Sequence, residues 1–566
     1  MAGLRKLWKH RPDRGRRRIS AAVTILAIAV MAVTAFGLTG GFTGERAAGA
    51  SAAAPALNRQ QFAQRILKTQ AANIMTSPAQ AVLRMQATGS KDLSAGIPSN
   101  AIAGQSRPAG AGGSSMRPAF TNIRVNDPAQ DTHQPDQTTE SETTIAVAGS
   151  HVAVGYNDSQ QTGLFFTAGS DLTGYSYSTD GGASFTDGGT LPDTPEFVNL
   201  GDPWLASTRT GDMYYSTLAD DALNLNLDVA VAKSADGGRT WATPVPVYRP
   251  PISIFYFADK PALATGLDPV VRTRDDLYDT WDDFTFTPAG QFFTGLPVAR
   301  STDGGATWHL VYAKRFNLTN VTGCSSKQFI GATPIVNPAD GTLYVVAERL
   351  VVNDPNCVGT PPVRSEWIYR SINGGKTFGP GVKIANATEA VPNGLLFLGS
   401  GKYMRDLEFP AIALRGNAIY VAWNDGALGP SHIRLATSTN SGHTWAVSFV
   451  TSGATDDVQP ALSADGSGIH LLYYHRNPNN TLDVLAGDSR NGTGFATQRV
   501  TTQSFPGTLT VPQFDPVIAF GYMGDYIANV SDGSHQYFAW GDNRAIVTDF
   551  LYPDGRNDPD VFFAKQ

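Results

Sequence analysis

Cysteine is nearly absent: Cys324 and Cys357 are the only two in 566 residues. No CxxC or His-rich spacing accompanies them, which argues against a zinc framework. An isolated pair in an oxidising compartment reads instead as a disulfide pinning two loops of one repeat. The nine histidines are scattered and form no HExxH. Charge is also sparse, at 16% of residues against the usual quarter, and the formal net charge is −6. Residues 1–18 hold eight Lys or Arg against Asp13 alone, so the remainder carries −13. An acidic body argues against a nucleic-acid partner.

What is present begins with an address. The basic stretch leads into an apolar run from Ile19 to about Leu38, an export signal with its positive end held inside. Ala48-Gly49-Ala50 offers a cleavage site, yet about 20 apolar residues are also long enough to span a bilayer. Residues 1–50 are thus a signal peptide or a retained anchor, with membrane anchoring through 19–38. Both readings put the body outside the cytoplasm, extracellular or at the cell surface. Residues 51–118 are rich in Ala, Gly, Ser and Pro and read as a linker, with a helix of modest amphipathicity over 57–88.

From 119 to 566 the chain repeats. Ser178-Thr-Asp-Gly-Gly-Ala-Ser-Phe185 returns as Ser234–Trp241, Ser301–Trp308, Ser371–Phe378 and Ser438–Trp445, at spacings of 56, 67, 70 and 67 residues. A worn sixth copy runs from Ser489 to Phe495. Asp or Asn before Gly-Gly is turn chemistry: the side chain accepts backbone N–H bonds and the glycines tolerate positive φ. Apolar alternation on both flanks makes each copy a hairpin turn, and its closing aromatic packs between neighbouring units.

These copies resemble the Asp-box, or BNR repeat, of sialidases and related β-propellers. The resemblance implies that Asp180, Asp236, Asp303, Asn373 and Asn440 are structural, on the turn between third and fourth strands of a blade, away from the active face. A second period supplies the blade count. Acidic or polar openings near 142, 202, 259, 328, 408, 457 and 525 lead into apolar strands. An all-β, seven-bladed propeller is expected, with six blades as the alternative and the piece 120–125 supplying the outer strand that closes the ring.

Strands alternate in direction, so the opening acids line one mouth and the Asp-boxes the other. Candidate ligand-binding residues are Asp202, Asp259, Lys260, Asp525 and Asp542. Asp259 with Asp282 is a candidate Ca²⁺ pair, since hard oxygen ligands suit that ion, although no EF-hand-like loop supports it and no cofactor is required. Cations that break the repeat carry more functional information than acids that obey it. Arg349, Arg405, Arg476 and Arg544 are therefore expected to cluster with Glu348, Glu408 and Tyr522 as candidate catalytic groups.

Sialidases hold their substrate with three arginines, the first in an Arg-Ile-Pro-type motif; Glu142-Thr-Thr-Ile-Ala-Val stands at that place here. No catalytic residue carries over. The expectation is an exported propeller that binds an extracellular glycan or glycoprotein at the mouth and hydrolyses glycosidic bonds. The alternative is a non-catalytic surface-binding or scaffold propeller.

Overall fold

The computed structural model describes residues 58–67, 75, 77–89 and 120–566 apart from 131–138, 161–170, 222–225, 252–253, 288–291, 319–324, 355, 357–358, 400–401, 510–522 and 549–552. The export segment, both cysteines and Tyr522 lie outside the described residues. Ser325 Oγ accepts a 2.8 Å bond from Asp354 N, which joins the stretches that carry the two cysteines.

Strands dominate, in sheets of three to nine strands paired almost wholly antiparallel. Counted in chain order as sheets one to seven, two and three are joined in the nine-stranded sheet through the parallel pair Phe257 and Leu227. Sheet one is Glu140–Ala148, His151–Asp158, Thr173–Ser178 and Thr186–Gly189. The innermost strands of sheets two to seven are Trp204–Ser207, Phe255–Leu267, Ser326–Val336, Ala411–Arg415, Asp457–Ala464 and Ala528–Ser531. Sheet seven has three strands from the C-terminal end of the chain, and Ile123–Arg124 pairs antiparallel with its Arg556–Lys565 as the fourth.

Each sheet is bonded to the next. Leu205 N donates to Thr144 Oγ1 (2.9 Å), Thr265 Oγ1 to Ser207 O (2.5 Å), and Gly331 N to Asp282 Oδ2 (3.0 Å). Arg364 reaches Glu408 (2.8 Å), Asp457 N donates to Ser431 O (2.8 Å), and Asn529 Nδ2 to His470 O (2.8 Å). Thr143 Oγ1 donates to Ala539 O (2.7 Å), so sheet seven meets sheet one. Apolar side chains fill each of these seams, as sheets with one face on a neighbour require. Val152, Val154 and Tyr156 of sheet one, for instance, bury against Tyr537, Ala539 and Phe563 of sheet seven.

The repeated octapeptide forms the turn its chemistry dictates. In the first copy Ser178 Oγ donates to Asp180 Oδ1 (2.7 Å) and accepts from Gly182 N (2.9 Å). Asp180 also accepts from Ala183 N (2.9 Å) and Ser184 N (3.0 Å). Gly182 needs its φ of 87° to close this loop, a region costly for a residue with a Cβ. The same bonds recur at Ser234/Asp236, Ser301/Asp303, Ser371/Asn373 and Ser438/Asn440. Trp241 is buried edge-on to Tyr215 (centroids 5.6 Å apart), whereas Trp308 is half-buried.

Register places these turns opposite the opening acids. Ser178 pairs with Val152 at the start of the second strand, while Glu140 pairs with Asp158 at its end. The region expected as one helix over 57–88 is two, α1 (Arg59–Ile66) and α2 (Ser77–Thr88). They belong to the same compact body as the sheets, Ala56–Gln566, so this part of the expected linker is built into the body.

Candidate functional site

The innermost strands share a kink that the sequence repeat did not announce. Glu142, Asp202, Lys260 and Gln459 have φ of 56°, 52°, 45° and 50°, and Gly331 has 65° at the matching place in sheet four. Register shifts fall at Ser141/Thr144, Asp259/Ala262, Ile330/Thr333 and Val458/Ala461. A bulge with a left-handed residue re-aims the side chain at its position. The equivalent positions in sheets three and six are therefore Lys260 and Gln459, not the expected Asp259 and Asp457.

These side chains build a throat with almost no solvent contact. Lys260 Nζ lies 4.5, 5.0 and 5.1 Å from the ring centroids of Trp204, Phe409 and Tyr526, which come from three different sheets. Glu142 accepts from Asn157 Nδ2 (2.9 Å) and from Asp525 N (3.1 Å). Arg405 Nε pairs with Asp525 (3.2 Å), and Gln459 Nε2 donates to Arg405 O (3.0 Å) and Gly524 O (2.9 Å). Burial pushes the Asp525 carboxyl up to about 8 against the pull of Arg405. Burial and the neighbouring Asp259 push Asp282 well up as well. Burial lowers the Lys260 ammonium, opposed by Asp282, Glu142 and Asp202. Below the throat a cavity of about 130 Å³ is lined by Thr143, Lys260, Thr333, Phe409 and Asn529 among others.

A second polar cluster lies between sheets four and five. Arg364 and Glu366 alternate along one strand and so share a face, and Glu348 sits opposite Glu366 on the adjacent strand. Arg364 Nη1 donates to both oxygens of Glu348 (3.2 Å each) and to Glu408 Oε2 (2.8 Å). Glu408 Oε1 also accepts from Ala390 N (2.6 Å). Neither oxygen of the fully buried Glu366 has a hydrogen-bond partner.

Three carboxyls share one guanidinium, so they cannot all ionise cheaply away from water. Burial raises Glu348 to about 8 despite Arg364, and raises Glu366 well above its ordinary range, reinforced by Glu348 and Glu408. A cavity of about 250 Å³ abuts the cluster, lined by Gln328, Arg364, Glu389 and Asn393 among others. Glu389, half-exposed at its lip, lies 3.9 Å from Arg364 Nη2. Proton-holding carboxyls beside a cavity are the equipment of acid–base catalysis.

The expected arginine cluster does not form. Arg405 is committed to Asp525, and Arg476 to Asp456 (2.8 Å). Arg544 binds Asp542 (2.8 Å) and stacks 4.3 Å over Phe562, while Arg349 stacks between Phe316 and Trp367. Each lies against the acid or ring of its own neighbourhood, because successive sheets hold equivalent positions apart instead of gathering them. Asp542 also accepts from Trp540 Nε1 (2.9 Å), a packing partner.

Asp259 and Asp282 are cross-strand partners as expected. However, Asp282 accepts from Gly331 N and Ala332 N, and Lys260 is the neighbouring countercharge. Among the described residues no group of three or more His, Cys, Asp or Glu is arranged to hold a metal ion, short of the six to eight oxygens Ca²⁺ takes. Of the candidate catalytic residues, Glu348 and Glu408 are in the cluster beside the cavity. Arg364, Glu366 and Glu389 were missed; Arg364 and Glu366 alternate in the strand Val363–Ser371, and charges also occur in other third strands.

No family model and no curated protein matches this chain. Solved structures show a likeness. A mutant α-L-arabinofuranosidase from Fusarium graminearum, in complex with an iminosugar inhibitor, is 14% identical over 66% of this chain and 98% of its own, at a TM-score of 0.42. The phage phi92 endosialidase is 10% identical, covering 79% and 68%, at 0.41. The Trypanosoma rangeli sialidase in complex with the inhibitor DANA is 15% identical, covering 62% and 55%, at 0.37.

Proposed function

We propose that this chain is an exported, seven-bladed propeller that binds the end of a glycan in the cavity between sheets four and five and cleaves a glycosidic bond there. The bonds from sheet seven to sheet one and the pairing of Ile123–Arg124 with the last strand support the closed circle. The basic, apolar leader supports export to the cell surface or beyond.

The observation that carries the function is the buried set of Glu348, Glu366 and Glu408 around Arg364, one wall away from an open cavity of about 250 Å³. Glycosidic cleavage needs one carboxyl that holds a proton at neutral pH and one that stays ionised. In this reading Glu348 or Glu366 supplies the first and Glu389 at the lip the second; Glu408 is the alternative for the second, since Arg364 and Ala390 N favour its ionised form although burial raises its carboxyl. Glu408 would act only after Arg364 swings from it.

The same contacts favour a second reading, binding without cleavage. Arg364 already occupies Glu348 and Glu408, as a structural ion triad would.

A panel of 4-methylumbelliferyl glycosides, the sialoside included, tests the first reading. Turnover by the wild type that falls by about 10²-fold or more in Glu389→Gln and Glu408→Gln, with an unchanged melting temperature, is the expected result. Binding of a panel sugar without any turnover selects the second reading. A rate indifferent to both variants removes this site.

A further inference from the structure

The N-terminal helices cover the mouth. Ala63 and Ile66 of α1, and Ala79, Val82 and Leu83 of α2, are buried in one apolar cluster with side chains of sheets two and three, among them Leu218, Phe257 and Phe284. Those three lie near the acid end of their strands, opposite the Asp-box turns. Arg59 lies 4.9 Å over the Phe255 ring at the same end.

Between the helices, Met75 is 1% exposed, and its carbonyl oxygen accepts a hydrogen bond from Arg405 Nη2. Arg405 is the throat residue paired with Asp525. A segment 330 residues away in sequence therefore meets a guanidinium of the throat.

We propose that α1, Met75 and α2 are a tethered occupant of the mouth, in which the Met75 carbonyl takes the place on Arg405 of an oxygen from a neutral, hydroxyl-rich ligand. The ligand class follows from what lies beneath. Donors (Arg405, Lys260) alternate with acceptors (Asp525, Asp202, Asp282), which suits hydroxyl groups that both give and accept. The rings of Trp204 and Tyr526 offer faces on which an apolar sugar surface stacks. A strongly anionic ligand would face four buried carboxyls, Glu142, Asp202, Asp282 and Asp525, and a cation would meet Lys260 and Arg405. This site is distinct from the cavity between sheets four and five and does not depend on its chemistry.

The full-length chain carrying Leu83→Asp tests the proposal, since Leu83 is fully buried under the helices and a carboxylate there ejects them. Hydrogen exchange reports whether 59–88 is released, phenylglyoxal labelling reports whether Arg405 opens, and saturation-transfer NMR with lactose, xylobiose and maltotriose reports the site. The expected result is release, labelling of Arg405 at least about tenfold faster, and sugar signals seen only in the variant. A synthetic peptide of residues 58–89 added in trans should suppress both the labelling and the signals.

Release that leaves Arg405 protected, or an open Arg405 with no signal from any of the three sugars, overturns the proposal. Should Leu83→Asp fail to fold, a full-length chain with a protease site inserted between residues 95 and 110, nicked after folding, replaces it. A body that melts on nicking would show the helices to be ordinary core and would equally end the idea.

Discussion

The two ends of the molecule are built by opposite rules. At one end five turns repeat the same serine, the same Asp or Asn and the same glycine bonds, with distances that agree to a few tenths of an ångström. At the other, equivalent positions hold Glu142, Asp202, Lys260, Gly331 and Gln459, whose side chains differ from sheet to sheet. A turn closed by its own side chains tolerates copying, because those bonds do not change from sheet to sheet. Side chains crowded into one buried volume cannot all be alike: identical acids would repel, so acid, base and amide occur together. Uniformity marks the scaffold and variation marks the chemistry.

Breaking the centre should therefore cost more than breaking the rim. Arg364→Met strips the guanidinium that pairs with Glu348 and Glu408 and leaves three buried carboxyls behind. It is expected to lower stability by about 3–5 kcal/mol, as removal of one partner from a buried pair does, read from urea unfolding. An effect no larger than that of a rim variant would mean that the carboxyls reach water.

Trp241→Ala is expected to cost a similar amount, about 3–5 kcal/mol, because that ring fills the seam of sheets one and two. Trp308→Ala should cost visibly less, since its ring is half-buried. Equal losses would contradict the packing described.

The carboxyl cluster should also set the pH profile. An unfolded Glu titrates near 4.5, whereas folded Glu348 holds its proton to about 8. Between those values the folded protein binds more protons than the unfolded chain, so stability falls with rising pH. The contribution is complete below about 4.5 and is lost as pH passes through about 8. The melting temperature should drop by a few degrees from pH 5 to 9, and Glu366→Gln, which removes one titrating group, should flatten that slope. A profile that rises with pH would refute the proton-holding cluster.

The smallest effect belongs to the rim. Ser301→Ala removes the hydroxyl that bonds Asp303 and Gly305 N and should cost about 1 kcal/mol, with no change in pH slope.

The five repeated turns were legible because the side-chain bonds that close them lie within four residues. The acid openings were legible as a period but misaligned by one residue at Asp259 and by two at Asp457, since a bulge changes register without changing composition. The arginine cluster failed for a related reason: sequence period says that residues occupy like places, not that they touch. Met75 with Arg405, and Glu142 with Asp525, meet across 330 and 383 residues, and no local signal carries such a contact.

The order of residues thus determined the turn and the strand alternation, both governed by short-range hydrogen bonding and steric preference. Tertiary structure alone decided which charges face one another, because only the packing of sheet against sheet brings distant polar groups into one dry volume where each must find a partner or keep its proton.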